Sequence, residues 1–308
     1  MNYRLMIILL FVIAWSNSLM AQFINDLSGS LESQITYYTD DDKVVNPGDL
    51  DIRSNNYLRF NYFKKKINAS IQFESYIQEA LLGFAPAYNQ KFGFSMASVT
   101  YNAKHLKLSG GYLFDQFSSG MTYRSWEDRQ LGINNALVGI HIDAHLSKKI
   151  QLKGFLGNQK YGFSISDGTL YGLNSLFHLG TKFNLDLGMI GRYEAFESSN
   201  PDFKEFTKLY SGKIMYTSGR FYTHIEAVYK GEDALVEFGN VIDNRLFSGS
   251  ALAFNIGYFK PGFGLDLSFR RLENMAFYTN REAYANIYNQ LIVNYLPALT
   301  KQHNVGLS

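Results

Sequence analysis

Residues 67–78 read Ile67-Asn68-Ala69-Ser70-Ile71-Gln72-Phe73-Glu74-Ser75-Tyr76-Ile77-Gln78. Ile67, Ala69, Ile71, Phe73 and Ile77 share one face of an extended chain. Asn68, Ser70, Gln72, Glu74 and Gln78 share the other, and a period of two is the signature of a β-strand. If the apolar face meets lipid, Glu74 points inward. The opposite register would put its carboxylate in hydrocarbon, where a basic residue costs on the order of 2–4 kcal/mol at mid-depth and an acid somewhat less.

Working outward, the same alternation recurs with different residues. Val138, Ile140, Ile142, Ala144 and Leu146 oppose His141, Asp143 and His145; Phe183, Leu185, Leu187 and Met189 oppose Asn184, Asp186 and Gly188; Phe263, Leu265, Leu267 and Phe269 oppose Gly264, Asp266, Ser268 and Arg270. A soluble sandwich produces such a pattern too, with the apolar face buried. Three features favour the membrane. The strands run to about ten residues, the length of a tilted bilayer crossing rather than the ~5–6 of soluble sheets. Aromatics gather near strand ends, as at Tyr57, Phe60, Tyr62 and Phe63. Connections alternate in length: those at Lys64–Lys66, Lys104-His105, Lys148-Lys149, Ser218-Gly219 and Lys260-Pro261 are tight. Those around 40–51, 78–91, 118–135, 196–206, 231–247 and 274–289 are long. Short periplasmic turns with longer external loops are the outer-membrane pattern.

The fold class expected is therefore all-β, a transmembrane antiparallel up-and-down β-barrel with about 14 strands visible, near Leu27, Ile52, Ile67, Phe92, Leu106, Leu137, Ile150, Leu170, Phe183, Thr207, Phe221, Gly249, Phe263 and Leu291. Residues 302–308 resemble a further strand just beginning. Since an unpaired edge in lipid is costly, the chain is expected to be the N-terminal part of a larger barrel.

Residues 1–21 carry one positive charge at Arg4, an apolar run from Leu5 to Trp15 and the small Ala21. This is the pattern of a secretory signal peptide cleaved after Ala21, with an apolar run too short to span a bilayer as a helix. Residues 22–308 are expected to form the barrel domain, located in the outer membrane of a Gram-negative bacterium. The chain has no cysteine, which removes disulfides, thiolate metal sites and Cys nucleophiles. A formal net charge of +2 gives no field that would recruit nucleic acid. Outer-membrane lipid is the expected partner, together with other outer-membrane or secretion-system proteins.

One segment breaks the alternation. Ser118–Asn135, SSGMTYRSWEDRQLGINN, crowds Arg124, Glu127, Asp128 and Arg129 around Trp126, and reads as a structured loop folded into the lumen or its mouth. Trp126 is expected to pack on the wall while Arg124 and Arg129 pair with lumen acids such as Glu74 or Asp143. The preceding Gly110-Gly111 would allow close backbone approach. His141, Asp143 and His145 lie at alternate positions and resemble a row of metal ligands. Ligands two apart on a strand stand roughly 6.5–7 Å apart at the backbone, however. A hydrogen-bonded lumen network including Glu74 is the better reading, with no metal and no cofactor. Glu127-Asp128 and Glu232-Asp233 face apart on extended chain and make poor acid and base partners. No nucleophile elbow, phosphate-binding glycine loop or zinc-protease helix occurs, so no catalytic residue is nominated. The lysine-rich turns at Lys64, Lys104 and Lys148 suit anionic head groups and equally the polar ends of hairpins.

The strings YRSWEDRQLGINN from Tyr123, IQLKGFLGNQKYGF from Ile150 and NYLPALTKQHN from Asn294, with Gly139 between the first two, resemble an uncharacterised family of Bacteroidetes outer-membrane β-barrel proteins. The resemblance implies an association with the type nine secretion and gliding machinery of that group. The function expected is a non-enzymatic barrel that serves as an accessory or scaffold for export or surface structures, its lumen plugged by the 118–135 loop. The alternative is a passive porin or substrate-specific channel, with Arg124, Glu127, Asp128 and Arg129 forming its constriction.

Overall fold

The period-two stretches become strands where the pattern places them. The computed structural model describes residues 26–39, 51–77, 79–81, 92–129, 133–195, 204–237, 240–275, 277 and 303–307. The leader, the acidic run Asp40–Asp42 and the strand expected near Leu291 lie outside these residues. The chain divides into two compact units, residues 1–103 and 104–308.

The first unit is an antiparallel meander of β1 (Leu27–Tyr37), β2 (Ile52–Lys64), β3 (Ile67–Ser75) and β4 (Phe92–Asn102), paired in chain order. Glu74 is buried on the polar face, where Gln72 donates to it at 3.2 Å and the Tyr76 hydroxyl at 2.7 Å. The decisive sequence stretch thus carries its own hydrogen-bond partners for the one charge it buries.

The second unit opens with β5 (Leu106–Leu113). Four two-residue strands follow: β6 (Gln116–Phe117), β7 (Tyr123–Arg124), β8 (Glu127–Asp128) and β9 (Ile133–Asn134). The wall then resumes as β10 (Leu137–Ser147), β11 (Ile150–Tyr161), β12 (Ser164–Leu179), β13 (Phe183–Tyr193), β14 (Phe206–Ser218), β15 (Phe221–Glu237), β16 (Asn240–Lys260), β17 (Phe263–Glu273) and β18 (His303–Leu307). The wall order is β5-β10-β11-β12-β13-β14-β15-β16-β17-β18, antiparallel throughout. No helix occurs among the described residues.

One connection differs from expectation. The stretch 231–247 is no loop: β15 and β16 continue pairing through it to Glu237↔Asn240, with three register shifts. Those bulges add residues to one strand and erase the alternation by which a strand is read. The β11–β12 connection, at the long-loop end, is a two-residue turn, with Gly162 at φ 58°.

The apolar face of the second unit carries large exposed side chains in its middle, among them Ile140, Leu187, Ile214 and Ile225. Aromatic rows bound this band. At the tight-turn end Phe183 packs on Tyr216 at 4.8 Å between ring centroids and Tyr216 on Phe221 at 6.2 Å. Phe221 pairs in register with Tyr258, which meets Phe263 at 6.4 Å. At the other end Tyr193 packs on Phe206 at 4.7 Å, and Tyr210 lies opposite Tyr229. From Phe183 to Tyr193 the strand climbs roughly 33 Å at ~3.3 Å per residue, or about 25 Å along a barrel axis at a tilt of ~40°. That is the height of an outer-membrane apolar band between its aromatic girdles.

Gly139 and Gly157 face each other across β10 and β11. A Cβ at Gly139 would lie 2.1 Å from the Leu156 carbonyl oxygen, and one at Gly157 would lie 2.4 Å from that of Val138. Gly110 has no such neighbour, and Gly111 instead holds a positive φ of 103°. Replacing Gly139 by Val should cost on the order of 3 kcal/mol by overpacking against backbone. It should remove most of the fast-migrating folded band on unboiled gels, while Gly212→Ala, whose nearest atom is Leu187 Cδ2 at 3.7 Å, should keep it. Equal folded bands would reject the close approach.

Candidate functional site

The 114–136 segment between β5 and β10 folds onto the polar face of the second unit. Its first turn reverses at Ser118 and Gly120, which hold φ values of 50° and 90°, and closes with Gly120 N donating to the Phe117 carbonyl at 2.8 Å. β6 and β7 then pair, with Phe117 opposite Tyr123. Ser125 ties the two ends: its backbone N donates to the Asp115 carbonyl at 2.8 Å, and its hydroxyl accepts from Asp115 N at 3.0 Å. A second small hairpin, β8 with β9, is closed by Trp126 N donating to Asn135 Oδ1 at 2.6 Å and Asn134 Nδ2 donating to Glu127 at 3.0 Å.

Phe117, Met121 and Tyr123 are almost fully buried. Phe117 and Tyr123 meet Phe155 of β11 at 5.1 and 4.2 Å between ring centroids. Gly172 of β12 gives them room, because a Cβ there would stand 2.5 Å from Phe155 and 2.8 Å from Phe117. The same apolar cluster takes in Leu137, Leu170, Ile190, Leu209, Val228 and Leu272. Ile190 lies opposite Leu209, and Val228 opposite Ala251. The polar face therefore carries an apolar belt, with one or two residues from each of β10–β17, and the in-folded segment packs on it. Met275 and Phe277, just past β17, join the cluster from the other side.

Charged groups flank the belt. Asp115 receives Lys153 Nζ at 2.9 Å, and His141 Nε2 lies 2.7 Å from its other oxygen. Burial would raise the Asp115 carboxyl, but the hydrogen bond from His141 and the Lys153 ammonium outweigh it and hold the group at about 2. Burial also pushes the Tyr123 hydroxyl up, so it stays neutral beside the Ser125 hydroxyl at 3.0 Å. Above the belt Arg192, with no exposure at all, donates to Asp233 at 2.8 Å and to Thr207 at 3.2 Å, and stacks over Phe277 at 5.0 Å. Below it Lys213 Nζ stands 3.7 Å from the fully buried Glu226.

The expected site residues divide into two groups. Arg124, Trp126, Glu127, Asp128 and Arg129 do come together, all half-buried, with Arg124 over the Trp126 ring at 4.7 Å and Arg129 Nε 3.4 Å from Glu127. The arginines thus find partners within their own segment. His141, Asp143 and His145 do not converge: His141 turns to Asp115, Asp143 accepts from Gln151 at 2.8 Å, and His145 is 57% exposed, 4.0 Å from Asp143. Among the described residues no group of three or more His, Asp or Glu could hold a metal ion. Sequence reading missed Asp115, Lys153, Arg192 and the belt. The one signal on offer was the apolar residue interrupting each polar face, as Val228 does between Glu226 and Lys230.

The low Asp115 value fixes a pH dependence. An acid whose folded value is depressed stabilises the fold above its ordinary range and loses that contribution as pH falls through the folded value. A carboxyl held near 2 instead of 3.8 contributes on the order of 2 kcal/mol to holding the segment, fully present above about pH 4 and lost toward pH 2. Trp126 fluorescence, in a chain lacking residues 1–21 and so Trp15, should report release of the segment over that window. Asp115→Asn should abolish this step, and an unchanged profile in the variant would assign the anchor elsewhere.

Comparison with known proteins matches this architecture. The structure of outer membrane protein OpdK from Pseudomonas aeruginosa is similar, with a TM-score of 0.51 at 9% identity over 80% of this chain and 67% of that one. OccK3 (OpdO) from the same organism gives 0.52 at 11% identity over 82% of this chain and 65% of that one. The chain spans about two thirds of the length of these structures. The likeness shows the fold, an antiparallel transmembrane β-barrel wall. No curated protein sequence matches. The family described as a family of unknown function (DUF6029) matches across residues 1–308, and the chain belongs to that family.

Proposed function

We propose that the chain forms the wall of a porin-like channel in the outer membrane of a Gram-negative bacterium, narrowed by the 114–136 segment. The observation that carries this reading is the apolar belt on the otherwise polar inner face, which holds Phe117, Met121 and Tyr123 in place. A wide aqueous pore has no use for such a belt, and a wall whose inner face is partly sealed passes only small solutes. The likeness to outer-membrane porins and channels supports this reading more than the export-accessory or scaffold role expected from the sequence. Passage through such a wall requires no covalent chemistry, so no residue is given a catalytic role.

Arg124, Glu127, Asp128 and Arg129 stand on the part of the segment that leaves the belt. We assign them the edge of the passage, where charged side chains set ion selectivity. Full-length protein in a planar bilayer should show small conductance. Replacing residues 116–134 with a short Gly-Ser link should raise it several-fold, and Arg124→Glu with Arg129→Glu should shift the reversal potential toward cation preference. Equal conductance with and without the segment would reject it as the constriction, and an unmoved reversal potential would reject the two arginines as the filter.

A further inference from the structure

The tight-turn edge of the second unit carries a charge pattern that the channel reading leaves unused. Its five short connections and the strand end at Lys260 place Lys104, Lys148, Lys149, Lys182, Arg220 and Lys260 along one edge, all exposed. No Asp or Glu occupies any of these connections. The nearest carboxylates, Asp143, Asp186 and Asp266, lie three or more residues inside the strands on the polar face. They are engaged there by Gln151, Asn174 and Tyr222. None of the six basic groups forms an ion pair among the described residues, and Lys260 lies over the Phe263 ring at 5.6 Å. The first unit repeats the pattern with Lys64-Lys65-Lys66 at its β2–β3 turn, where among the described residues only Lys64 has an acid, Asp26, at 3.6 Å. In a chain with a formal net charge of +2, a basic edge this uniform is a segregation of charge.

We infer that this edge is a docking surface for anionic phospholipid head groups of the leaflet that the short turns face. The inference rests on the membrane reading and not on conduction. Three observations favour lipid over an acidic protein. Lys182, Arg220 and Lys260 sit immediately beyond the aromatic row Phe183, Tyr216, Phe221, Tyr258 and Phe263, which is the height of the head groups, and the other three occupy the corresponding turns of the neighbouring strands. They are spread along the edge at one or two per hairpin, two strand spacings or ~10 Å apart, instead of forming one patch. Their side chains are long and form no ion pair among the described residues, so each can reach a separate phosphate, and attraction to an anionic surface adds with each Lys or Arg.

The test uses full-length protein in nanodiscs of phosphatidylcholine with a minority of phosphatidylglycerol. Spin-labelled lipid of each kind reports the fraction held at the protein surface. Phosphatidylglycerol should be favoured several-fold over phosphatidylcholine at 0.1 M salt, with the preference collapsing at 1 M, where screening shortens to about 3 Å. Changing all six residues together with Lys64, Lys65 and Lys66 to Gln should bring the ratio to one, whereas changing the eight lysines among them to Arg should keep it. Gel mobility without boiling checks that both variants fold. Failure of the membrane reading would appear as no immobilised fraction of either lipid. An immobilised fraction without headgroup preference, or a preference that survives the Gln changes, would overturn the docking surface alone. If lipid preference is absent while a polyglutamate peptide binds the wild type and not the Gln variant, the edge serves an acidic protein and the lipid inference is wrong.

Discussion

Every backbone N–H and C=O in a bilayer must find its partner within the protein, because hydrocarbon offers none. The antiparallel ladder from β5 through β17 satisfies that constraint, and the other features of the second unit follow from it. Once neighbouring strands pair, side chains alternate between two environments, and each strand must choose which face meets lipid. Asp186 on β13 and Glu226 on β15 make that choice as Glu74 does on β3, since the alternative register would expose a carboxylate to lipid. The apolar face then needs no partner from the protein. In water the exposed Ile140, Leu187, Ile214 and Ile225 would be a liability; in lipid they are the solvated side.

The polar face poses the opposite difficulty. A face lined with charges is comfortable with water but cannot hold a folded segment, because burying unpaired charge costs several kcal/mol per group. The belt of Phe155, Leu170, Ile190, Leu209, Val228 and Leu272 resolves this by offering apolar surface at one level only. Charges next to it are paired, Asp115 with Lys153 and His141, and Arg192 with Asp233. Packing supplies the attraction, and the ion pairs remove the penalty that would otherwise expel the segment.

How much of this was legible in the sequence follows from the direction of reading. Alternation runs along the chain, so strand starts at Leu27, Ile52, Ile67, Phe92, Leu106, Leu137, Ile150, Phe183, Phe221 and Phe263 agree between pattern and structure. The departure of 118–135 from the pattern was equally visible, as was the gathering of its charges around Trp126. The belt runs across the chain. Within β15 a single Val228 between Glu226 and Lys230 reads as noise, and only the registers show that it neighbours Ala251 and, through it, Leu272. The pairing of Asp115 with Lys153 and His141 was hidden for the same reason. Asp143, the acid nearest His141 in the sequence, lies seven ångströms or so along the strand, while Asp115 arrives from the folded-in segment. The continuation of β15 and β16 through 231–247 was hidden by bulges that destroy the period.

The layering also fixes the depth at which the segment sits. The belt steps down across the registers, from Leu170 opposite Arg192, to Ile190 opposite Leu209, to Val228 opposite Ala251, as a tilted strand requires if the belt is to stay level. A shift of the segment by one inward-facing position, about 7 Å along a strand, would set Phe117 and Tyr123 toward the level of Arg192 and Lys230 in one direction, or of Gly188 and Glu226 in the other. Either move breaks apolar contact and strips Asp115 of Lys153 and His141 at once. A uniformly polar face would let the segment slide, and a uniformly apolar one would let it bind at any height. Alternating the two in layers leaves a single position for the segment.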